Sequence, residues 1–440
     1  MTAVRTAERT VARTAEPSAD PGVTAHTTSR APELSLGRPA LARCVAGDSE
    51  EFARDVWGRA PHLSRADELP QPFTDLLSAE AVDELVSTRG LRTPFLRVAR
   101  AGSTLPSRDF TAPGGVGAGI ADQVSDDKLA ALFADGATLV LQALHRTWPP
   151  LVDFSQDLAA ELGHPVQVNA YVTPPQSQGF SDHYDVHDVF VLQVDGEKRW
   201  MIRRPVHPSP LRDQPWTDRE PHVRRAAQEE PLLDVVLRPG DCLYLPRGFL
   251  HAATALGGVS THLTVGVHTW TRYTLAEELV RLALHDLADD ADARTSLPLG
   301  TALGSIDRIG DDLDLVVDRL CRALDAVDPA ALEDRLARRS RDAQRAAPVG
   351  PLAQARAAAT VDGGTTVVVR RHLEARVGAT PDGAVVESRA GRLEVAAADR
   401  ASLEALLCGA PVTVEDLPGD RDADLALVAR LLVAGVLVVA

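Results

Sequence analysis

Three residues set the chemical question. His183 and Asp185 stand one residue apart in NAYVTPPQSQGFSDHYDVHDVFVLQVDGEKRW, residues 169–200, and His251 follows far downstream in LRPGDCLYLPRGFLHAA. An H-x-D pair at a strand edge can bring an imidazole nitrogen and a carboxylate oxygen to one ion from the same side. A distant histidine on a neighbouring strand would complete the set. Two histidines and one carboxylate on one face of an octahedral ion leave positions for a co-substrate and O₂, a donor set suited to Fe(II). The first pair is crowded, because Asp182, His183, Asp185, His187 and Asp188 fall within seven residues. Extended backbone alternates with a period of two, so His183, Asp185 and His187 would share a face while Asp182 and Asp188 point away. Three roles stay open for His187: a further ligand, a partner to the ligands, or a substrate-facing group. An isolated H-x-D is a common match, and the downstream PGD and LPRGFLH elements are what make this one specific.

Such ligands need strands to carry them. From Val166 to about Trp270, VQVNAYVT, DVFVLQV, KRWMIRRP, LLDVVLRPG, DCLYLP and HLTVGVHTW read as short strands split by Gly, Pro, Asp and Asn, with DGEK as a turn. Many short antiparallel strands that must bury their faces close into a double-sheet roll or barrel. Upstream, PFTDLLSAEAVDELVSTRG reads as a helix closed by Gly90, SDDKLAALFADG as a capped helix, and DFSQDLAAELG as another. TPFLRVARAG and ATLVLQAL read as strands between them. Phe52 and Trp57 are read as packing residues. After Trp270 the pattern becomes amphipathic helix in TLAEELVRLALHDLADD and DRIGDDLDLVVDRLCRALDAV. The last block mixes strands (TTVVVRRHLEARV, GAVVESRAGRLEVAA) with helices, a small α+β unit of the winged-helix kind. The expected division is a disordered tail over 1–35, a mainly β catalytic unit over 36–271, a helical unit over 272–348 suited to dimerisation, and the α+β unit over 349–440.

Composition narrows the partners. Lys and Arg total 46 against 62 Asp and Glu, and the resulting charge of −16 makes the average surface repel phosphate backbones, so no direct nucleic-acid role is expected. No run of eighteen apolar residues occurs, so no membrane span is expected. Cys44, Cys242, Cys321 and Cys408 are scattered without a C-x-x-C pair, which reads as buried free thiols in a reducing compartment, with the cytoplasm as the default.

The pair GFSDHYDVHDVFVLQVDGEKRW and LRPGDCLYLPRGFLHAA closely resembles the ribosomal oxygenases. These are a branch of the JmjC/cupin-like 2-oxoglutarate- and Fe(II)-dependent dioxygenases that hydroxylate histidyl or arginyl residues of ribosomal proteins. The resemblance implies a double-stranded β-helix, or jelly-roll, with a helical dimerisation domain and a C-terminal winged-helix-like domain. It makes His183, Asp185 and His251 the iron ligands, and Lys198 the lysine that pairs with the distal carboxylate of 2-oxoglutarate. Asn169 and Tyr171 match positions near the co-substrate and substrate, and Ser260 and His262 lie on the strand after the third ligand. Arg247 is read either as a contact to substrate backbone or as a pairing with the acidic stretch. The implied reaction hydroxylates a protein side chain, with succinate and CO₂ as products, in a homodimer. The negative charge favours basic ribosomal-protein segments. The same site would also serve a small-molecule substrate, such as an amino acid or secondary metabolite. A non-catalytic jelly-roll scaffold is the third reading, and loss of a ligand would mark it.

Overall fold

The computed structural model describes residues 37–440, apart from 101, 179, 302, 305–308 and 382. The tail expected over 1–35 lies outside the described residues. The first strands are β1 (His62–Ser64), β2 (Leu96–Arg100) and β3 (Ser103–Thr104), followed by a ribbon of β4 (Thr111–Ala112) and β5 (Gln123–Val124). Then come β6 (Thr138–Leu141), β7 (Val166–Thr173), β8 (Asp188–Arg203), β9 (Leu233–Leu237), β10 (Cys242–Leu245) and β11 (Leu250–Val267). They join in the order β1-β10-β8-β11-β7-β6-β2-β3, with β9 on β8, and each pairing is antiparallel. The sheet is the mainly antiparallel core expected of a cupin-type roll.

Two strands do more than the sequence suggests. The DGEK segment is not a turn: β8 runs unbroken through Asp195 and Gly196. Its partner β11 is equally long, and the register between them shifts from Leu256 to Thr261. Gly196 has φ +64°, and a Cβ there would meet Val259 O at 2.0 Å, so only glycine lets the two strands approach and bend together. The bend gives each strand two roles. Residues before it on β8 pair with β10, and residues after it pair with β9. Corner-turning strands of this kind fold one sheet over into two facing layers.

Helices α1 (Pro39–Ala42), α2 (Ser49–Glu51), α3 (Ala79–Ser87), α4 (Asp126–Ala134), α5 (Leu144–Thr147) and α6 (Pro149–Leu162) attach to this roll. α5 and α6 pack on β7, and α4 packs on β6. Ser78 caps α3 by accepting from Ala81 N, so the helix starts later than PFTD, where Pro70 and Pro72 hold the chain out of helix. Leu96, Val98, Val168, Ala170, Leu263 and Val265 share a buried core with Phe52, and Trp57 packs against it. Each such large side chain contributes about 1.5–3 kcal/mol by leaving water.

Beyond α7 (Glu220–Ala226), helices α8 (Arg272–Leu287), α9 (Gly310–Asp325) and α10 (Pro329–Ala343) follow the roll. Glu278 on α8 is buried and accepts from Arg281, Arg335 and Arg339, and the last two tie α8 to α10. A separate apolar core between Ala346 and Leu437 holds the remaining elements. These are α11 (Pro351–Thr360), β12 (Thr366–Val369), β13 (Arg376–Thr380), β14 (Gly383–Ser388), β15 (Gly391–Ala396), α12 (Arg400–Leu406), β16 (Val412–Thr413), α13 (Arg421–Val433) and β17 (Leu437–Val439). TTVVVRRHLEARV is two strands rather than one, broken where His372 and Glu374 take φ of 56° and 50°. The expectation of uniformly buried thiols fails as well. Cys44 and Cys242 are buried, but Cys321, on α9, and Cys408, in the turn after Leu406, are exposed.

Candidate active site

Residues 181–187 are irregular backbone, not strand, so alternation does not set their directions. What holds them is a set of bonds to the segment 247–251. His183 N donates to His251 O (3.2 Å), and His251 N donates to His183 O (2.9 Å). Gly248 N donates to Asp185 O (3.0 Å), and Arg247 N donates to the buried Asp188 carboxylate (3.0 Å). Asp188 also accepts from Tyr244 Oη at 2.6 Å. Gly248, at φ +90°, is required at this junction, because a Cβ would lie 2.7 Å from His207 O.

This framework brings His183, Asp185 and His251 together, with one donor atom from each within 4.8 Å of the others. His251 Nε2 lies 3.7 Å from Asp185 Oδ2, and the two imidazole centroids are 4.4 Å apart. Metal bonds of about 2.1 Å put two donors on one ion no more than ~4.2 Å apart, which the 3.7 Å His251–Asp185 spacing fits. The tautomers fit too. His183 Nδ1 faces Ser181 O (2.7 Å) and His251 Nδ1 faces Phe249 O (3.1 Å). A carbonyl only accepts, so each Nδ1 carries the proton and each Nε2 keeps its lone pair for an ion. Burial, then the adjacent His183, pushes His251 down to about 4, which keeps it neutral. Burial alone would raise the Asp185 carboxyl, but His187, His251 and His183 outweigh it and hold the group below its usual range.

His187 is not in that cluster. Its ring sits against Gly266, 5.2 Å from the His268 ring, with Nδ1 3.2 Å from Asp188 O and Nε2 3.5 Å from Gln167 Nε2. It fastens the start of β8 to the ends of β7 and β11. Arg247 takes the pairing role: its side chain reaches Asp188, Pro210 O and Thr269 Oγ1.

The same cavity has a second polar end. Its lining includes Tyr171, Phe180, His183, Asp185, Lys198, Trp200, His251, His262 and Thr264. Lys198 is only 4% exposed, against the solvated position that a DGEK turn would give it. Its Nζ donates to Thr173 Oγ1 (3.0 Å), and among the described residues no carboxylate pairs with it. Burial brings its amine down to about 7. His262 stacks on Tyr171 at 5.0 Å, and its buried Nδ1 has no partner. Burial, then Asp185, raises the Tyr171 hydroxyl to about 12, so it remains a donor.

Two expected co-substrate residues sit apart from this lining. Asn169 Oδ1 accepts from Ala143 N (3.0 Å), where the chain takes φ 56°. Ser260 is buried and its hydroxyl accepts from Gln193 Nε2 (2.9 Å). Thr173, which does reach Lys198, escaped notice, although the alternation of NAYVT sets it on the face of Asn169 and Tyr171.

The JmjC domain family matches residues 150–275. Ribosomal oxygenase 1 of Rattus norvegicus is 36% identical over 172 residues, covering 38% of this chain and 28% of that protein. The Gallus gallus protein of the same name is 32% identical over 256 residues, covering 57% and 40%. The bifunctional lysine-specific demethylase and histidyl-hydroxylase NO66 of Drosophila persimilis is 38% identical over 137 residues, covering 30% and 19%. The chain thus spans less than half the length of these relatives. Among solved structures, the Escherichia coli ribosomal oxygenase YcfD shares the fold with a TM-score of 0.53 at 17% identity, covering 90% of this chain and 99% of that one. Its complex with cobalt and 2-oxoglutarate gives 0.51 at 18% identity, covering 90% and 99%. Residues 150–275 thus match the JmjC domain family, and part of the chain is similar to the ribosomal oxygenases.

Proposed function

We propose that this chain is a 2-oxoglutarate- and Fe(II)-dependent oxygenase that hydroxylates a protein side chain, with a histidine or arginine of a ribosomal protein as the target class. The observation that carries this reading is a buried lysine without a carboxylate partner, in the same cavity as two lone-pair imidazoles and a carboxylate. A cationic amine held out of water needs an anion, and a dicarboxylate with a keto acid at one end would meet both ends of the cavity. The Escherichia coli complex holds both cobalt and 2-oxoglutarate, which supports reading this cavity as a site for a metal and a keto acid.

When bound, Fe(II) and 2-oxoglutarate would supply O₂ activation coupled to release of CO₂ and succinate. His183, Asp185 and His251 would hold the ion, and Lys198 would take the distal carboxylate with Thr173 beside it. Tyr171 stays protonated and offers a hydrogen bond. Val189, Val191, Trp200 and Ala252 form the apolar wall that keeps water out. Asn169 and Ser260, in this reading, shape the cavity from behind rather than touch the co-substrate.

The same reading extends to the rest of the chain. Residues 36–271 are the catalytic unit, 272–348 a dimerisation unit and 349–440 a winged-helix-like unit. Exposed Tyr273, Leu275, Val280 and Leu284 on α8, with Leu313, Val316 and Val317 on α9, support a homodimer. Free thiols support a reducing, cytoplasmic setting, and among the described residues no helix is long and apolar enough to cross a membrane. The charge of −16 supports a basic polypeptide substrate rather than nucleic acid.

The test is anaerobic loading with Fe(II), then admission of O₂ with 2-oxoglutarate and ribosomal proteins, reading succinate and a mass gain of one oxygen atom on the protein. Succinate that does not depend on Fe(II) would overturn the reading. Oxygen gained only by a small molecule would replace the substrate class.

A further inference from the structure

A second concavity lies on the other face of the strands that build the cavity. Along the β7–β11 pair, Tyr171 is opposite His262 and both face the cavity, while Val172 is opposite Thr261 and both line an outer groove. The groove has a volume of about 540 Å³. α3 forms one wall with Ala79, Val82 and Val86, and α4 forms the other with Leu129 and Phe133. Leu139, Val172 and Val259 lie between them, and Val259 is 39% exposed. The lining carries Asp83, Asp126, Asp127 and Asp195 and, among the described residues, neither lysine nor arginine. Lys128, beside two of them in sequence, is turned away and bonded to Arg108 O and Thr111 O.

The wall spacings of three and four residues are those of apolar stripes that two helices present to a third. Val259 is exposed and Val86 and Phe133 are half-buried, so this part of the apolar lining meets water and gains by being covered. Each wall helix is nine residues long, about 14 Å at 1.5 Å per residue, which suits an occupant of roughly two to three turns. Asp126 accepts from Asp127 N (3.0 Å), but none of the four carboxylates has an ion-pair partner among the described residues, and that decides the occupant's charge. An acidic or neutral occupant would leave them unpaired at the rim, whereas lysines or arginines flanking the apolar face would meet them.

We infer that the α3–α4 groove docks a short, basic, amphipathic helix of a polypeptide partner, with apolar side chains on the Val172–Val259 floor and its cations on the aspartate rim. The site is independent of the oxygenase reading, because the groove and the cavity use opposite faces of β7 and β11. Binding and turnover can therefore fail separately.

The probe is a fluorescent amphipathic helix of leucine and lysine, titrated by anisotropy into the full chain, with its leucine–glutamate counterpart as control. Only the lysine peptide binds. Replacing Asp83→Asn with Asp195→Asn weakens it by about fivefold to tenfold, as expected for two exposed ion pairs. Val259→Asp is the discriminating variant. It adds a negative charge, so simple charge attraction would tighten binding, whereas an apolar seat in the groove loses about tenfold. Unchanged or tighter binding in Val259→Asp, or equal binding of the glutamate peptide, overturns the proposal. So does peptide binding that tightens on deletion of residues 1–36, or a mass that rises with concentration and falls in Val259→Asp. Those results would give the groove to the chain's own N-terminal segment or to a second copy. Thermal melting of each variant checks that the exposed substitutions leave the fold intact.

Discussion

At one end of the cavity, His183, Asp185 and His251 stand on irregular backbone pinned by main-chain bonds between two segments far apart in sequence. At the other, Lys198 stands on a regular strand with Thr173 Oγ1 as its hydrogen-bond partner. The first end is oriented without a ligand, since each imidazole Nδ1–H donates to a backbone carbonyl and leaves its Nε2 lone pair beside the carboxylate. The second holds a buried amine that resists its own charge without an anion. The difference separates what each end contributes. The ligand end fixes geometry in advance, and the lysine end stores an unmet demand that only an anion relieves.

The largest effect comes from breaking the ligand end. Asp185→Ala removes the sole carboxylate donor, and Fe(II)-dependent succinate release falls by about a thousandfold, with metal binding lost in parallel. The surrounding bonds use the Asp185 carbonyl rather than its side chain, so the melting temperature changes little. A variant that keeps its turnover would show that the ion, if any, sits elsewhere.

Breaking the lysine end should have a split outcome. Lys198→Met keeps the volume and removes the buried amine. Affinity for 2-oxoglutarate falls by about 10–100-fold, the range for losing a charge-assisted hydrogen bond. Stability without ligand rises, by about 2–4 °C in melting temperature for each kcal/mol of burial cost removed. A melting temperature that drops would mean the amine already has a favourable environment, and the comparison of the two ends would collapse.

A pH series then tests the amine itself. Its value in the free protein is about 7, below that of an unfolded lysine, so between those values the unfolded chain holds more protons. This group's contribution to stability therefore improves as pH rises from about 7 and is lost as pH falls back. Co-substrate affinity goes the other way. The anion needs the ammonium, so above about 7 binding must take up a proton, and affinity weakens by up to about tenfold per pH unit. In Lys198→Met both slopes should flatten, as read by calorimetry and thermal melting.

These contrasts explain what the sequence could reveal. The cluster of His183, Asp185 and His251 is legible because the downstream PGD and LPRGFLH elements make the H-x-D specific, although alternation does not apply there: residues 181–187 are no strand, and His187 departs toward His268. Backbone bonds between 183–188 and 247–251 do that positioning, and no local pattern announces a contact spanning sixty residues. DGEK looked like a turn because Asp-Gly favours turns. Only the paired approach of Gly196 to Val259 makes it a bend in a continuous strand, and that bend is what buries Lys198. His372 and Glu374 break an apparent strand through left-handed backbone that neither residue type signals strongly. Thr173 is the reverse case: the alternation that puts Asn169 and Tyr171 on one face of β7 carries through to it.

The smallest effects should come from the polar residues behind the cavity, and they sharpen the comparison by belonging to neither end. Asn169 Oδ1 is committed to Ala143 N, and the Ser260 hydroxyl to Gln193 Nε2. Asn169→Ala leaves the Ala143 N–H, in left-handed backbone, without its partner, which costs about 1–2 kcal/mol of stability. Ser260→Ala costs less, about 0.5–1 kcal/mol, because Gln193 Nε2 still donates to the carbonyls of Asp195 (2.8 Å) and Gly196 (3.1 Å). Both variants should hold their 2-oxoglutarate affinity within about twofold, since a group already bonded to the protein has little left to offer a ligand. Denaturant melts paired with calorimetric titration separate the two effects. A co-substrate affinity that falls tenfold in either variant, without a matching loss of stability, would mean that the side chain exchanges its protein partner for the ligand and that the lysine end is broader than Lys198 and Thr173.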